Sequence, residues 1–107
     1  MGYDKLLGTL DLLVLKVLAA GPEHGYGITV RVKQLSGEAL QVEEGSLYPA
    51  LHRMEQAGWI RPEWKSSENK RRAKYYHLTP KGKDRLAEEQ ENWLRVSRGV
   101  AKVLRYA

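Results

Sequence analysis

The chain has 107 residues and no cysteine, and its 18 Lys and Arg against 13 Asp and Glu give a formal net charge of +5. This length allows one domain without a large catalytic cleft, and the lack of cysteine excludes a disulfide framework or thiol nucleophile and suits the cytoplasm. Lys16 interrupts the longest apolar run, which is too short to span a membrane. The basic surplus favours a phosphate backbone or an anionic membrane surface as partner.

The first half of the chain predicts three helices. Leucines and valines recur at helical spacing over residues 9–20 and cover nearly all sides, so we expect this helix at the centre of the fold. A second helix is predicted over 26–35, ended by Ser36 and Gly37. The third covers 46–57, with a proline in its first turn and one apolar face formed by Leu47, Ala50, Leu51, Met54 and Ala57.

Alternating residues after Gly58 predict a two-stranded hairpin. One strand runs from 59 to 65, where Pro62 is typical of an edge strand, and the other covers 74–78. The polar stretch 66–72 between them is expected to form the turn.

The remaining chain predicts one long helix. Thr79 is a preferred N-cap, Pro80 suits the first helical position, and the helix extends to about residue 105. Three helices followed by a hairpin predict a mainly α fold with a small β-hairpin, the winged helix-turn-helix. We therefore divide the chain into a DNA-binding domain, residues 1–78, and a C-terminal dimerisation helix, residues 79–107.

The basic surplus is concentrated in the hairpin. Five cations against Glu68 give +4 within ten residues, and these cations are Lys65, Lys70, Arg71, Arg72 and Lys74. A cluster of this kind can be an ordinary solvated hairpin tip. Beside a helix-turn-helix, contact with DNA phosphates is the favoured interpretation, because helix and hairpin present their charges together.

The third helix carries hydrogen-bond donors on the side opposite its apolar face. Ser46, Tyr48, His52 and Arg53 suit contacts to phosphates and base edges. The alternatives are a plain solvent face, or pairing of Arg53 with neighbouring Glu55 or Gln56.

Motifs for catalysis are lacking. His24, His52 and His77 fall on three elements without partners at metal-site spacing, and Gly25-x-Gly27 lacks the third glycine of a dinucleotide loop. There is no phosphate-binding loop of the Gly-Lys-Ser/Thr type and no nucleophile elbow. We expect no enzyme activity, no cofactor and no metal.

The last helix carries a stripe in alternating three- and four-residue steps, as lengthwise helix packing requires. Its members are Leu86, Gln90, Trp93, Leu94, Ser97, Val100, Ala101 and Leu104. Because a helix of this length exceeds what the small domain can cover, we expect a second subunit to cover the stripe, with Leu6 and Leu10 at the same interface. The alternative is a long helix folded back on its own domain.

Several stretches resemble the PadR-like transcriptional regulators. They are LGTLD at 7–11, GPEHGYGI at 21–28, EGSLYPALHRME at 44–55, AGWI at 57–60 and RRAKYYHLTPKG at 71–82. Gly27 departs from the acidic residue that the family pattern places there. The resemblance implies a dimeric winged-helix repressor that binds operator DNA and is often released by a small effector.

The resemblance also implies roles for individual residues. The DNA-contacting positions correspond to Ser46, Tyr48 and Pro49 and to the wing cations Lys70, Arg71, Arg72 and Lys74. His24, Gly25 and Tyr26 correspond to a structural turn, in which Gly25 permits close approach and Tyr26 packs. Effectors of some relatives bind near the dimer interface, where the indole of Trp93 could stack on an aromatic compound. An interface tryptophan without a ligand is the alternative.

We therefore predict a homodimeric repressor that binds a palindromic operator in double-stranded DNA and responds to a small, aromatic effector. The rival interpretation is a winged-helix adaptor that binds proteins without DNA. A membrane-surface role is disfavoured, because the basic hairpin has no bulky apolar residue to insert.

Overall fold

The computed structural model describes residues 9–66 and 71–106. Within these residues the chain forms four helices and three strands. In chain order they are α1 (Thr9–Ala19), β1 (Glu23–His24), α2 (Gly25–Leu35), α3 (Glu44–Gln56), β2 (Ile60–Ser66), β3 (Arg72–Leu78) and α4 (Pro80–Leu104). The predicted mainly α fold, with a small β-element and a long C-terminal helix, is confirmed.

The predicted hairpin is confirmed as β2 and β3, and the sheet contains a third strand, β1, that was not predicted. The strand order is β1-β3-β2, with both pairings antiparallel, and β1 adds Glu23 opposite Tyr76 and His24 opposite Tyr75. A two-residue strand shows no alternation, and sequence patterning therefore missed it. Pro62 does lie on an edge strand, because β3 is the only partner of β2 among the described strands. We call β2, β3 and their connection the wing.

The core is built around α1, as the apolar sequence of that helix predicts. Four of its apolar residues are buried, and α2, α3, the sheet and α4 pack against them. The buried apolar residues are Val14, Leu15, Val17, Leu18, Ile28, Val32, Leu47, Ala50, Leu51, Met54, Ile60, Tyr76 and Leu86. Truncating one such residue to Ala typically costs about 2–5 kcal/mol.

Helix α3 begins two residues earlier than predicted. Its first turn is formed from Glu44, so Pro49 lies inside the helix instead of in the first turn. The missing amide hydrogen of Pro49 leaves the carbonyl of Gly45 without its usual helical donor. The apolar face of the helix is as predicted, with its first four members buried.

Thr79 and Gly82 fix the start of α4 to the base of the wing. The Thr79 hydroxyl accepts a hydrogen bond from the Gly82 amide at 3.0 Å and lies 2.6 Å from the Gly58 carbonyl, to which it donates. A Cβ on Gly82 would overlap the carbonyl oxygen of Trp59. Glycine is therefore required here for close packing rather than for an unusual φ.

Leu86 is the last fully packed position of α4, which corrects its assignment to a dimer interface. Its side chain belongs to the subunit's own core, because the first turns of α4 lie against α1. Beyond this point the helix exposes apolar side chains, including Trp93 at 42%, Leu94 at 45% and Leu104 at 79%.

Candidate nucleic-acid interface

The exposed face of α3 carries Ser46, Tyr48, Pro49 and His52, opposite the buried apolar face. Tyr48 is held in place by a close contact with α2: a Cβ on Gly25 would lie 2.7 Å from the Tyr48 hydroxyl oxygen. The predicted close approach at Gly25 is thus confirmed. Tyr48 as a whole stays 47% exposed.

The turn before α2 is organised by His24. Its Nδ1 accepts a hydrogen bond from the Gly27 amide at 3.0 Å and so caps the helix, a role that a search for Ser, Thr, Asp or Asn caps overlooks. The Glu23 carboxylate occupies the space that a side chain at position 27 would need. Tyr26, expected to pack, is 63% exposed instead, because Gly25 is the residue that turns inward.

Arg53 is engaged by a carboxylate of its own subunit, and its contact with DNA stays a prediction. Its Nη1 and Nη2 donate to the two carboxylate oxygens of Asp11, each at 2.8 Å. The Asp11 side chain is 9% exposed, and the hydrogen bond to it raises the pKa of Arg53 above its ordinary value. The pair joins α3 to α1, and neither Glu55 nor Gln56 is the partner of Arg53.

Lys74 also forms an ion pair within the subunit. Its Nζ lies 3.1 Å from Oε1 of Glu55, and both side chains are about one-third exposed, at 32% and 30%. The ion pair with Glu55 raises the pKa of Lys74 above its usual range. It joins the wing to α3, so Lys74 is not a free wing cation, and its contact with DNA stays a prediction.

The other described wing cations that were predicted to contact DNA, Lys65, Arg71 and Arg72, are exposed. Two of them lie over aromatic rings: Lys65 Nζ is 4.5 Å from the centre of the Tyr75 ring, and Arg72 Cζ is 5.4 Å from that of Trp64. A ring face attracts a cation and limits its orientations. Lys70 lies outside the described residues, as does Leu6 of the predicted dimer interface.

Trp64 and Tyr75, whose rings lie under these cations, were not predicted as part of the site, although the sequence contains a pattern that indicates them. Trp64 and Tyr75 lie on opposite faces of the wing, each near a cation of the adjacent strand by the antiparallel register. Alternation of aromatic and basic residues in paired strands thus predicts such contacts once the register is known. Trp64 stays 55% exposed, so the Arg72 guanidinium is held at the surface.

An open groove of 790 Å³ lies between α2 and the loop that leads to α3, and its lining includes Tyr26, Lys33, Glu38 and Val42. Trp93, the predicted effector residue, is not part of this groove. Within residues 9–66 and 71–106, no three His, Asp or Glu side chains are grouped to hold a metal ion. None of the helices in this part of the chain is long and apolar enough to cross a membrane.

Three helices around a central α1, an exposed α3 face and an adjoining basic wing define a winged helix-turn-helix protein. Residues 14–88 match the family described as "Transcriptional regulator PadR-like family". The chain belongs to this family of transcriptional regulators.

Solved structures support the assignment. The PadR-like transcriptional regulator BC4206 from Bacillus cereus is 31% identical, with a TM-score of 0.78 over 97% of this chain and 99% of that one. The PadR protein of Bacillus subtilis, solved in complex with operator DNA, is 29% identical, with a TM-score of 0.68 over 80% of this chain and 45% of that one.

A curated relative is longer. A 37.1 kDa protein of transposon TN4556 from Streptomyces fradiae is 42% identical over 87 residues, which is 81% of this chain. The matched region spans 24% of that relative's length.

Proposed function

We propose that the protein is a homodimeric repressor that binds a palindromic operator. In this proposal each subunit inserts α3 into a major groove and lays the wing on the neighbouring backbone or minor groove. The observation that carries the proposal is the Glu55–Lys74 ion pair, because it holds the exposed face of α3 beside the free wing cations. The operator complex of the Bacillus subtilis relative supports DNA as the partner.

In this proposal the residues of α3 and of the wing make different contacts with DNA. Ser46, Tyr48 and His52 offer donors to phosphates and base edges, whereas Arg71 and Arg72 supply charge to the backbone. Glu44 lies in the first turn of α3, where its carboxylate stabilises the positive end of the helix dipole.

The homodimer is proposed from the exposed apolar part of α4. Monomeric proteins rarely expose a contiguous apolar stripe of this kind, and Leu94, Val100 and Leu104 are between 45% and 79% exposed. Residues 1–78 would then serve as the DNA-binding domain and residues 79–107 as the dimerisation helix. Half-sites would be separated by one or two helical turns of DNA.

A small aromatic effector is proposed to bind at Trp93, which combines a flat indole surface with 42% exposure on the stripe. Compounds that release operator DNA from the wild type would then lose their effect on Trp93→Ala. Retention of release by this variant would move the effector site elsewhere.

Selection of bound sequences from random DNA, followed by footprinting, tests the repressor proposal. The expected result is an inverted repeat protected on both half-sites, with affinity that falls steeply as salt rises. A folded dimer that enriches no sequence and shows no salt dependence would instead support the adaptor function.

A further inference from the structure

The last part of α4 carries cations but no acidic residue. Residues 84–91 include four carboxylates, whereas residues 93–105 include none and hold four cations, a net charge of +4. The cations are Arg95, Arg98, Lys102 and Arg105, and all four are exposed. Among the described residues, none of the four forms an ion pair. Their charges are therefore available to an outside partner.

The four cations share one side of this segment. At about 100° per residue, their directions round the helix axis fall within an arc about 80° wide. The other residues apart from Ser97 and Gly99 are apolar, and they lie within an arc of about 180° on the opposite side. We call these residues the apolar half: Trp93, Leu94, Val96, Val100, Ala101, Val103 and Leu104. Residues 93–105 thus form a basic amphipathic helix about 20 Å long.

Most of the apolar half is uncovered in the subunit. Five of its residues are between 42% and 79% exposed, with Val103 at 72%. The core of the subunit reaches α4 only at Leu86, which lies before this segment. A contiguous apolar surface of this kind marks a site of interaction with a protein or a membrane.

A second α4 does not account for the whole apolar half. Two paired helices need only a narrow apolar stripe, and Val96 and Val103 lie outside the stripe assigned to the proposed dimer. The charges beside the apolar half are all positive, whereas helices that pair with each other use both signs at their flanks. A wide apolar side backed by a purely basic side is typical of helices that lie in the surface of an anionic membrane.

We propose that residues 93–105 of α4 bind the surface of an anionic lipid bilayer. In this arrangement the apolar half enters the boundary between headgroups and acyl chains, and the cations contact lipid phosphates. The indole of Trp93 is a side chain that favours this boundary. Arg98 and Arg105 lie nearest to the apolar half on the helix, and their long stems extend from the boundary to the headgroups.

Membrane binding and dimerisation through α4 use the same residues. Trp93, Val100 and Leu104 belong both to the apolar half and to the stripe of the proposed dimer. One face cannot contact a bilayer and a second subunit at the same time, so the two states exclude each other. This competition rests on the proposed homodimer, whereas membrane binding itself does not. Anionic lipid would withdraw subunits from the dimer by mass action.

Cosedimentation of the full-length protein with lipid vesicles tests the membrane site. Vesicles of one part phosphatidylglycerol to two parts phosphatidylcholine are compared with vesicles of phosphatidylcholine alone. We expect at least about tenfold tighter binding to the anionic vesicles, and we expect this binding to weaken as salt rises. Equal affinity for the two compositions, or no binding to either, would overturn the proposal.

Two variants with the same net charge distinguish α4 from the wing. Val103→Asp and Arg72→Ala each lower the net charge by one, but only Val103→Asp places a carboxylate in the apolar half. We expect Val103→Asp to weaken vesicle binding at least about tenfold and Arg72→Ala to weaken it about twofold or less. The reverse order would assign the vesicle contact to the wing and overturn the proposal. Because Val103 lies outside the dimer stripe, a dimeric Val103→Asp in sedimentation velocity shows that the loss is not a folding defect.

A lysine-reactive cross-linker tests the competition at a large excess of anionic lipid. The unbound fraction should yield cross-linked dimers, and the vesicle pellet should yield monomers. Cross-linked dimers in the pellet would overturn the competition. A wild type that is monomeric without lipid and still binds anionic vesicles would remove the homodimer and support the membrane site, so the two failures are distinguishable.

Discussion

Arg53 on α3 and Asp11 on α1, 42 residues apart in sequence, meet through two parallel hydrogen bonds of 2.8 Å. A bidentate guanidinium–carboxylate pair fixes both distance and angle between its partners. Asp11 is buried, so the pair anchors α3 on the central helix. The orientation of the proposed DNA-reading face thus depends on an ion pair formed within the subunit.

Breaking this pair should destabilise the fold without removing a phosphate contact. Arg53→Ala leaves the Asp11 carboxylate buried without its partner, and we expect a loss of about 1–3 kcal/mol in the free energy of unfolding by urea. The double variant with Asp11→Ala should lose less than the sum of the single changes. His52→Ala, on the exposed face, is the matched control for stability.

The same variant distinguishes positioning from contact. If Arg53 positions α3, the slope of log affinity against log salt stays as in wild type for Arg53→Ala, although affinity falls. A decrease in the slope by about one would instead indicate a direct phosphate contact.

For Arg72 we expect a direct phosphate contact, and for Trp64 only a role in positioning Arg72. Arg72→Ala should reduce the salt slope of operator binding by about one, because a phosphate contact is lost. Trp64→Ala removes no charge, so it should weaken binding at fixed salt while the slope is kept. Filter binding or fluorescence anisotropy over a salt series measures both. Equal affinity of Trp64→Ala and wild type would show that the ring does not support the guanidinium.

Lys74 and Glu55 can be tested by exchanging their charges. Lys74→Glu places two carboxylates together at the base of the wing and should lower operator affinity at least about tenfold. Adding Glu55→Lys restores opposite charges and should recover most of the affinity with an unchanged salt slope. If the exchanged variant binds no better than Lys74→Glu, Lys74 acts on DNA directly.

Sequence periodicity predicted the helices because each is a local pattern, and it placed α1 at the centre because its leucines leave no polar face. It could not predict that Arg53 and Lys74 form ion pairs within the subunit. Their partners lie on other elements, and a charge count treats every cation as free. Leu86 is a second example of a role that spacing does not reveal. Its spacing fits the exposed stripe of α4, as that of Leu94 does, but Leu86 packs against α1 in the core.

Two glycines of α4 should respond in opposite directions to the same substitution. Gly82→Ala brings a Cβ onto the carbonyl of Trp59 and should cost about 1–3 kcal/mol, because backbone must move. Gly99→Ala meets nothing within 4 Å and should stabilise the helix by about 0.5–1 kcal/mol. Urea unfolding at one protein concentration compares them. A neutral Gly82→Ala would show that α4 is not tied to the wing base at this point.

Leu94 should decide whether two subunits associate through α4. Leu94→Asp places a carboxylate in the middle of the apolar stripe of α4 on both subunits, and an unpaired buried charge costs about 3–5 kcal/mol, which raises the dimer dissociation constant at least about a hundredfold. Val103→Asp introduces the same charge at a position 72% exposed and off the stripe, and should stay dimeric. Sedimentation velocity measures both. Because operator binding requires two linked subunits in this proposal, Leu94→Asp should also lose affinity for the full palindrome while keeping weak binding to a half-site. A dimeric Leu94→Asp would place the interface outside the apolar stripe of α4.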